Sequence, residues 1–373
     1  MNHRERWVNC LHFQPVDRIP DEEFGYWDET IVAWHDQGLP KTVRNNPEAD
    51  IFFGFAERRW APVNFDLAPG FETKVVEEDD RHQIIIDGNG VKCMIFKYGS
   101  QLTSIPHFID HTLKDRASWE EFKRRLDPET PGRFPSNWTE ITKQWENRTY
   151  PLGIHVGSLW GRIRDWMGLE GAAICTVEEP DLMEDMVEHL CNLIMRVLEK
   201  VVVGVQYDFA DFWEDMAFNG GPLISPASFE RILVPRYKRI TDFLKQHGVD
   251  IVYVDCDGDI NQLAPLWIQA GVRGMFPIER ASHSDPYRLR DKFGKDVILL
   301  GGVDKVALIA GKAEIRKELS YLKPLADQGG YIPHVDHRVP PDVTYENYLY
   351  YLDYKRDLFG IPRPPAHSEA INS

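Results

Sequence analysis

The alternation of strand-like and helix-like segments predicts an α/β chain folded as a (β/α)8 TIM barrel. Three observations support this. Repeated strand–helix units with short loops fill the sequence from about residue 150 onward, and such units impose parallel strands with right-handed crossovers. With an earlier strand in "RIPDEEFGYW", they come near the eight that close a barrel. No G-x-G-x-x-G or Walker glycine loop follows any strand, which weakens an open dinucleotide-binding sheet.

In chain order, "RIPDEEFGYW" supplies the first strand. "FETKVVEEDDRHQIIIDGNGVKCMIFKYG", residues 71–99, alternates with period two around an Asp-Gly-Asn-Gly turn. This predicts a β-hairpin or meander inserted in the N-terminal third, extending to about residue 106. "RASWEEFKRRLDPETPGRF" reads as an exposed helix and loop. "PLGIHV" is a strand. "EPDLMEDMVEHLCNLIMRVLEKVV" is a helix, with Leu182, Met186, His189, Leu190 and Ile194 on one face. "GVQYDFADFW" is a strand. The helix of "SPASFERILVPRYKRITDFLKQHG" is capped by Ser225, carries Pro226 at its first position and stops at Gly248. "VDIVYVD" is a strand, and "INQLAPLWIQAG" is a helix to Gly271. "VRGMFPIE" is a strand, and "DPYRLRDKFG" is a helix capped by Asp285. "DVILLGGVD" is a strand, "KAEIRKELSYLKPLADQGG" a helix, "YIPHVD" a short strand and "TYENYLYYLDYKRDLFG" the last helix. With no long linker and no internal repeat, residues 1–373 read as one domain.

The chain of 373 residues has a formal net charge of −16. Such a surface repels nucleic acid and anionic lipid, so neither is an expected partner. No apolar run approaches the ~20 residues that cross a bilayer, and the N-terminus lacks a secretory apolar core. Cys10, Cys93, Cys175, Cys191 and Cys256 form no CxxC pair. This suits a reducing cytosol, so a cytoplasmic location is expected.

In a (β/α)8 barrel, functional side chains stand at the strand C-termini. Those ends give Glu22, Glu23, Tyr26, Trp27 and Asp28; His155 and Trp160; Asp211, Trp213, Glu214 and Asp215; Asp255, Cys256 and Asp257; Glu279 and His283; Asp304; and His334, Asp336 and His337. Gathered carboxylates and imidazoles are costly to desolvate unless they bind a cation, share protons or grip a polar ligand. Plainer readings stand beside this one. Asp259 or Asp257 can cap the next helix, His155 can be a satisfied core histidine, and "WEDM" can be an acidic helix start. Alternation turns Cys256 outward and puts His334 and His337 on opposite faces.

The chain resembles the uroporphyrinogen decarboxylase superfamily, within it the branch that includes corrinoid-dependent methyltransferases. The carriers are "RERWVNCLHFQPVDRIP", "GSLWGRIRDWMGLEG", "DFWEDMAFNGGPLISPASFERILVPRYKRI", "VDCDGDINQLAPLWIQAGVRGMFPIE", "LLGGVDKVALIAGK" and "GGYIPHVDHRVPPDVTYENYLYYL". Where the decarboxylases carry an arginine-rich "RQAGRY"-like loop, this chain reads "DEEFGYWDET". Glu22, Glu23 and Asp28 would repel a polyanionic tetrapyrrole, which argues against haem biosynthesis. The methyltransferase branch often holds zinc through a His-x-Cys pair and a late Cys. Those positions fall on Asp255 and Asp257 and near His334 to His337.

The resemblance therefore implies Zn²⁺ on oxygen and imidazole ligands from Asp255, Asp257, Glu279 and His337, a harder site than a thiolate one. It implies a methyltransferase component that demethylates a small methyl donor, a methoxylated aromatic. The methyl group would pass to cobalamin carried by a partner corrinoid protein. Glu214, Asp215 and His155 are the candidate catalytic residues, with Glu214 or Asp215 as the proton donor, and Tyr26, Trp27, Trp160 and Trp213 the candidate ring-stacking residues. Homodimer formation is left open. The rivals are a metal-free decarboxylase or lyase, with Arg162 or Arg164 gripping a substrate carboxylate, and a barrel that only binds a ligand.

Overall fold

The structure, a computed structural model, describes residues 1–97 and 106–364. Among the described residues, thirteen strands follow in chain order. They are β1 (Arg59–Trp60), β2 (Lys74–Glu78), β3 (His82–Ile86), β4 (Lys92–Phe96), β5 (His107–Asp110), β6 (Leu152–His155), β7 (Phe209–Trp213), β8 (Ala217–Phe218), β9 (Gly221–Pro222), β10 (Val252–Asp255), β11 (Gly274–Ile278), β12 (Ile298–Gly301) and β13 (Tyr331–Ile332). Seven of them form one parallel sheet in the order β1-β6-β7-β10-β11-β12-β13. Helices intervene along the chain, so the architecture is the curled, TIM-barrel-like α/β type.

"RIPDEEFGYW" is not a ladder strand. It touches its neighbours through the Ala56 N–H on Asp21 O and a single parallel bridge between Tyr26 and Val339. Pro20 has no N–H to give, and Gly25 sits at φ 121°, so the segment cannot sustain regular pairing. The Glu23 carboxylate fills in, accepting from Val335 N at 3.0 Å.

Pleat alternation sorts the sheet into two cores. Phe209, Ile251, Tyr253, Phe276, Ile298, Leu300 and Ile332 cluster inside the curl. The N-terminal helix His3–Leu11 adds Trp7, Cys10 and Leu11 to them, with Trp7 4.9 Å from Phe209 at the start of β7. Val252, Val254, Cys256 and Leu299 face the helices instead. One end of the interior is therefore sealed by apolar packing, and the C-terminal strand ends are left to carry polar groups.

The helices follow their local signals. Asp285 accepts from Tyr287 N and Arg288 N at the head of Pro286–Phe293, and the long apolar face is helix Pro180–Val201. The segment after Ser225 is two helices, Pro226–Ile232 and Val234–Gln246, because Pro235 starts a new one. Asp304 caps an additional helix, Lys305–Ala310. Asp259 does not cap Ala264–Gln269; it holds Asn261 in a local turn. Where the sequence has period two, β2–β4 pair antiparallel, and β5, just past the expected end near residue 106, adds a fourth strand; residues 98–105 lie outside the described residues. No helix among the described residues is long and apolar enough to cross a membrane.

Candidate active site at the strand ends

Along β7, Phe209, Asp211 and Trp213 alternate inward, and along β10 Tyr253 and Asp255 do the same, with Asp255 beside Trp213 in register. A cavity of about 460 Å³ opens there, lined by Trp60, His155, Arg162, Asp211, Trp213 and Asp255. A neighbouring cavity of about 320 Å³ shares Trp60, Asp211 and Asp255 and reaches Glu22, Arg58 and Phe276. A third, of about 860 Å³, lies between the antiparallel sheet (Asn89, Phe108, His111) and Asp215, Phe218, Asp257 and Glu279.

Asp215, Asp255 and Asp257 form the partition. One carboxylate oxygen from each lies within 4.8 Å of the others. Asp255 faces the 460 Å³ cavity and the other two face the larger one. Burial, then repulsion from Asp215 and Asp257, drives Asp255 well above the usual carboxylate range. Burial and Asp257 push Asp215 up to about 6. Asp215 holds a left-handed backbone at φ 45°, and its Oδ1 accepts from Asp257 N at 3.1 Å.

His155 donates from Nδ1 to Asp211 Oδ2 at 2.7 Å, and Trp60 Nε1 donates to the other oxygen at 2.7 Å. Burial alone would lower the imidazole pKa, but the Asp211 carboxylate outweighs it and holds His155 above its ordinary value. His337 Nε2 donates to Asp257 Oδ2 at 3.1 Å, with Trp27 stacked on its ring at 5.5 Å.

Several expected site residues stand elsewhere. Glu214 follows Trp213 and so turns to the helix side, where it is fully buried. Its carboxylate accepts from Ser158 Oγ, Leu159 N, Trp160 N, Gly161 N and Tyr237 Oη, which leaves no free edge for catalysis. Tyr26 is fully buried against Tyr348, oxygen to oxygen at 2.7 Å, and Trp160 is fully buried with Nε1 on Thr176. Neither can stack on a ligand. Trp213 reaches the cavity, but Arg162 lies 4.8 Å from its ring centre.

Glu279 lies outside the three-carboxylate group. Lys305 Nζ is 3.0 Å from it, and despite burial that cation holds its pKa below the usual range. His337 joins the group only through Asp257. Of the expected ligands Asp255, Asp257, Glu279 and His337, the structure brings Asp255 and Asp257 together, with Asp215 as the third carboxylate of the group. His334 is buried with Nδ1 on Val335 O, and Asp336 is spent on Arg280 N and Lys305 N.

The supposed repulsion of a polyanion by Glu22 and Glu23 also needs correction. Glu22 lies 3.2 Å from Arg58, and both acids are buried, so neither presents a bare negative front.

The residue missed is Trp60; Asp211 is named at its strand end but given no role. Trp60 ends a two-residue strand too short to show a period. Asp211 was legible as the inward neighbour of Trp213 on the same strand.

Across the chain, the methyltransferase from Methanosarcina mazei shares the fold with TM-score 0.60 and 15% identity, over 96% of this chain and 99% of that one. A B12-independent methionine synthase from Shewanella sp. W3-18-1 aligns with TM-score 0.44 and 12% identity, over 95% of each chain. No curated protein matches the chain. The sequence model of uroporphyrinogen decarboxylase (URO-D) matches residues 94–358, so the chain belongs to that family.

Proposed function

We propose that this protein is a methyltransferase component that takes a methyl group from a small methoxylated aromatic. The acceptor is the cobalt of a corrinoid carried by a separate protein. The carrying observation is the meeting of His155, Trp213 and Asp255 with Trp60 and Asp211 in one cavity, where Asp255 links it to the three-carboxylate group. Its 460 Å³ suits a single-ring donor. Family membership supports an enzyme of this superfamily, and the named Methanosarcina neighbour supports the methyl-transfer reading.

Breaking an aryl methyl ether leaves the C–O electron pair on the aryl oxygen, a poor leaving group. The enzyme must offset that charge as it develops. His155 is suited to the task. Asp211 fixes Nδ1 and raises the proton affinity of the ring, so that in the imidazolium form Nε2–H would be the proton for the leaving oxygen. His155 thereby takes the acid role that the sequence offered to Glu214 or Asp215.

Asp215, Asp255 and Asp257 would hold one divalent cation. The spacing of their oxygens fits, and their mutual repulsion is what a cation relieves. Zn²⁺ is the ion the family resemblance points to, although three oxygens suit Mg²⁺ or Mn²⁺ at least as well. When bound, the ion supplies a Lewis acid for the ether oxygen. His337 orients Asp257 from behind.

The decarboxylase rival is less favoured, because its two candidate anchors already have partners, although Arg162 lines the cavity. Arg162 is held by Asp66 and Asp165, and Arg164 by Asp165 and the Asp215 backbone.

The test is methyl transfer from a panel of aryl methyl ethers to cob(I)alamin, followed by its absorbance. Wild type should turn over at least one ether, and His155→Gln should cost about 10²-fold or more. The rate should fall as pH rises through the elevated His155 pKa, because the protonated ring is the active form. Absence of transfer from every methyl donor would overturn the reading.

A further inference from the structure

We infer that Arg164 is a positioning residue for the three-carboxylate group, holding the Asp215 backbone in the shape that turns its carboxylate toward Asp255 and Asp257. The inference rests on the cation reading given above.

Asp215 is one of three non-glycine residues at positive φ among those described, at 45°. L-residues avoid this region unless their surroundings impose it. The imposing contact is visible. Arg164 Nη1 donates to the Asp215 carbonyl at 2.6 Å, and Nη2 lies 3.9 Å from the Asp215 carboxylate.

The guanidinium is itself fixed. It lies 5.3 Å from the Trp213 ring centre, and Nη2 donates to Asp165 at 3.1 Å. Its helix, Gly161–Met167, is pinned to the same strand end. The Glu214 carboxylate accepts from the N–H groups of Leu159, Trp160 and Gly161 at the helix head. A Cβ at Gly161 would stand 2.3 Å from the Glu214 carbonyl, so only glycine lets the helix come this close.

Helix and strand end are thus clamped at two successive residues, Glu214 by its side chain and Asp215 by its backbone. Without Arg164, the Asp257 N–H remains as a hold on the Asp215 carboxylate, while the backbone loses the contact that favours its positive φ. This gives Arg164 a structural partner in place of a substrate carboxylate.

The test is calorimetric titration of the full-length protein with Mn²⁺ and with Zn²⁺ alone, for wild type, Arg164→Ala and Arg164→Lys. Arg164→Ala should weaken binding by about tenfold or more, with its melting temperature close to that of wild type. Arg164→Lys should recover part of the affinity, and free guanidinium at low millimolar concentration should restore Arg164→Ala, a rescue that a merely structural role would not give. If Arg164→Ala does not fold, Arg164→Gln carries the same comparison. Wild-type binding with an Arg164 variant that binds equally well would overturn this inference alone. Wild type binding neither ion would overturn the cation reading and this inference together.

Discussion

Asp21, Glu22 and Glu23 sit in the irregular segment among cations, whereas Asp215, Asp255 and Asp257 crowd one another at the strand ends. Arg356 and Lys355 reach Asp21 at 2.8 and 3.2 Å, and Arg58 reaches Glu22 at 3.2 Å. Arg58 and His3 hold Glu22 below the usual carboxylate range against its burial, while burial pushes Glu23 up to about 7. At the strand ends the nearest charges to Asp255 are other acids, and the pKa values rise. An acid run in a sequence therefore says little until its partners are known. One cluster stabilises the fold, and the other stores repulsion that a ligand can use.

The largest expected effect comes from breaking the paired cluster. Arg356 is buried and binds Asp21 and the Phe53 carbonyl, so Arg356→Ala leaves a buried carboxylate short of its partner. It should cost about 3–5 kcal/mol in denaturant unfolding; an unchanged midpoint would erase the contrast.

Glu214 sharpens the comparison, being a third buried acid satisfied by neutral donors. Glu214→Gln puts an NH₂ group where an oxygen accepts, and should cost about 2 kcal/mol.

The smallest effect has the opposite sign. With chelator present, Asp215→Asn should stabilise the protein by roughly 1 kcal/mol near neutral pH: relief of a pKa raised from 3.8 to about 6 is worth about 3 kcal/mol, and the weakened Asp257 N–H and Arg164 contacts take back about 2 kcal/mol. Asp215 has a raised folded pKa, about 6 against 3.8, so the wild-type contribution is present at low pH and lost as pH rises through about 6. The difference between variant and wild type should accordingly grow between about pH 4 and pH 7. Equal stability throughout would mean that the strand-end acids do not repel.

The strand–helix rhythm, the caps at Ser225 and Asp285 and the aim of Asp255 were legible because each is set by nearby residues. What was not legible depended on distant partners or on alternation left unapplied. The pleat rule that turns Cys256 outward also turns Glu214 outward, one residue past Trp213. Glu279 resembled a free ligand until Lys305 arrived from the next strand end. Arg356 meets Asp21 across 335 positions, and no local pattern announces it. Tyr26 and Trp160, aromatics at element ends, were claimed by Tyr348 and Thr176 instead of a ligand.

The central claim is that Asp215, Asp255 and Asp257 hold a divalent cation on which methyl transfer depends. It is tested most directly by assaying methyl transfer to cob(I)alamin with purified protein, with chelator-treated protein and with treated protein given back Zn²⁺ or Mn²⁺, beside Asp257→Asn and elemental analysis. The account predicts about one metal ion per chain, loss of transfer on chelation, recovery on re-addition, and both metal and activity lowered in Asp257→Asn. Full activity in metal-free protein would contradict it.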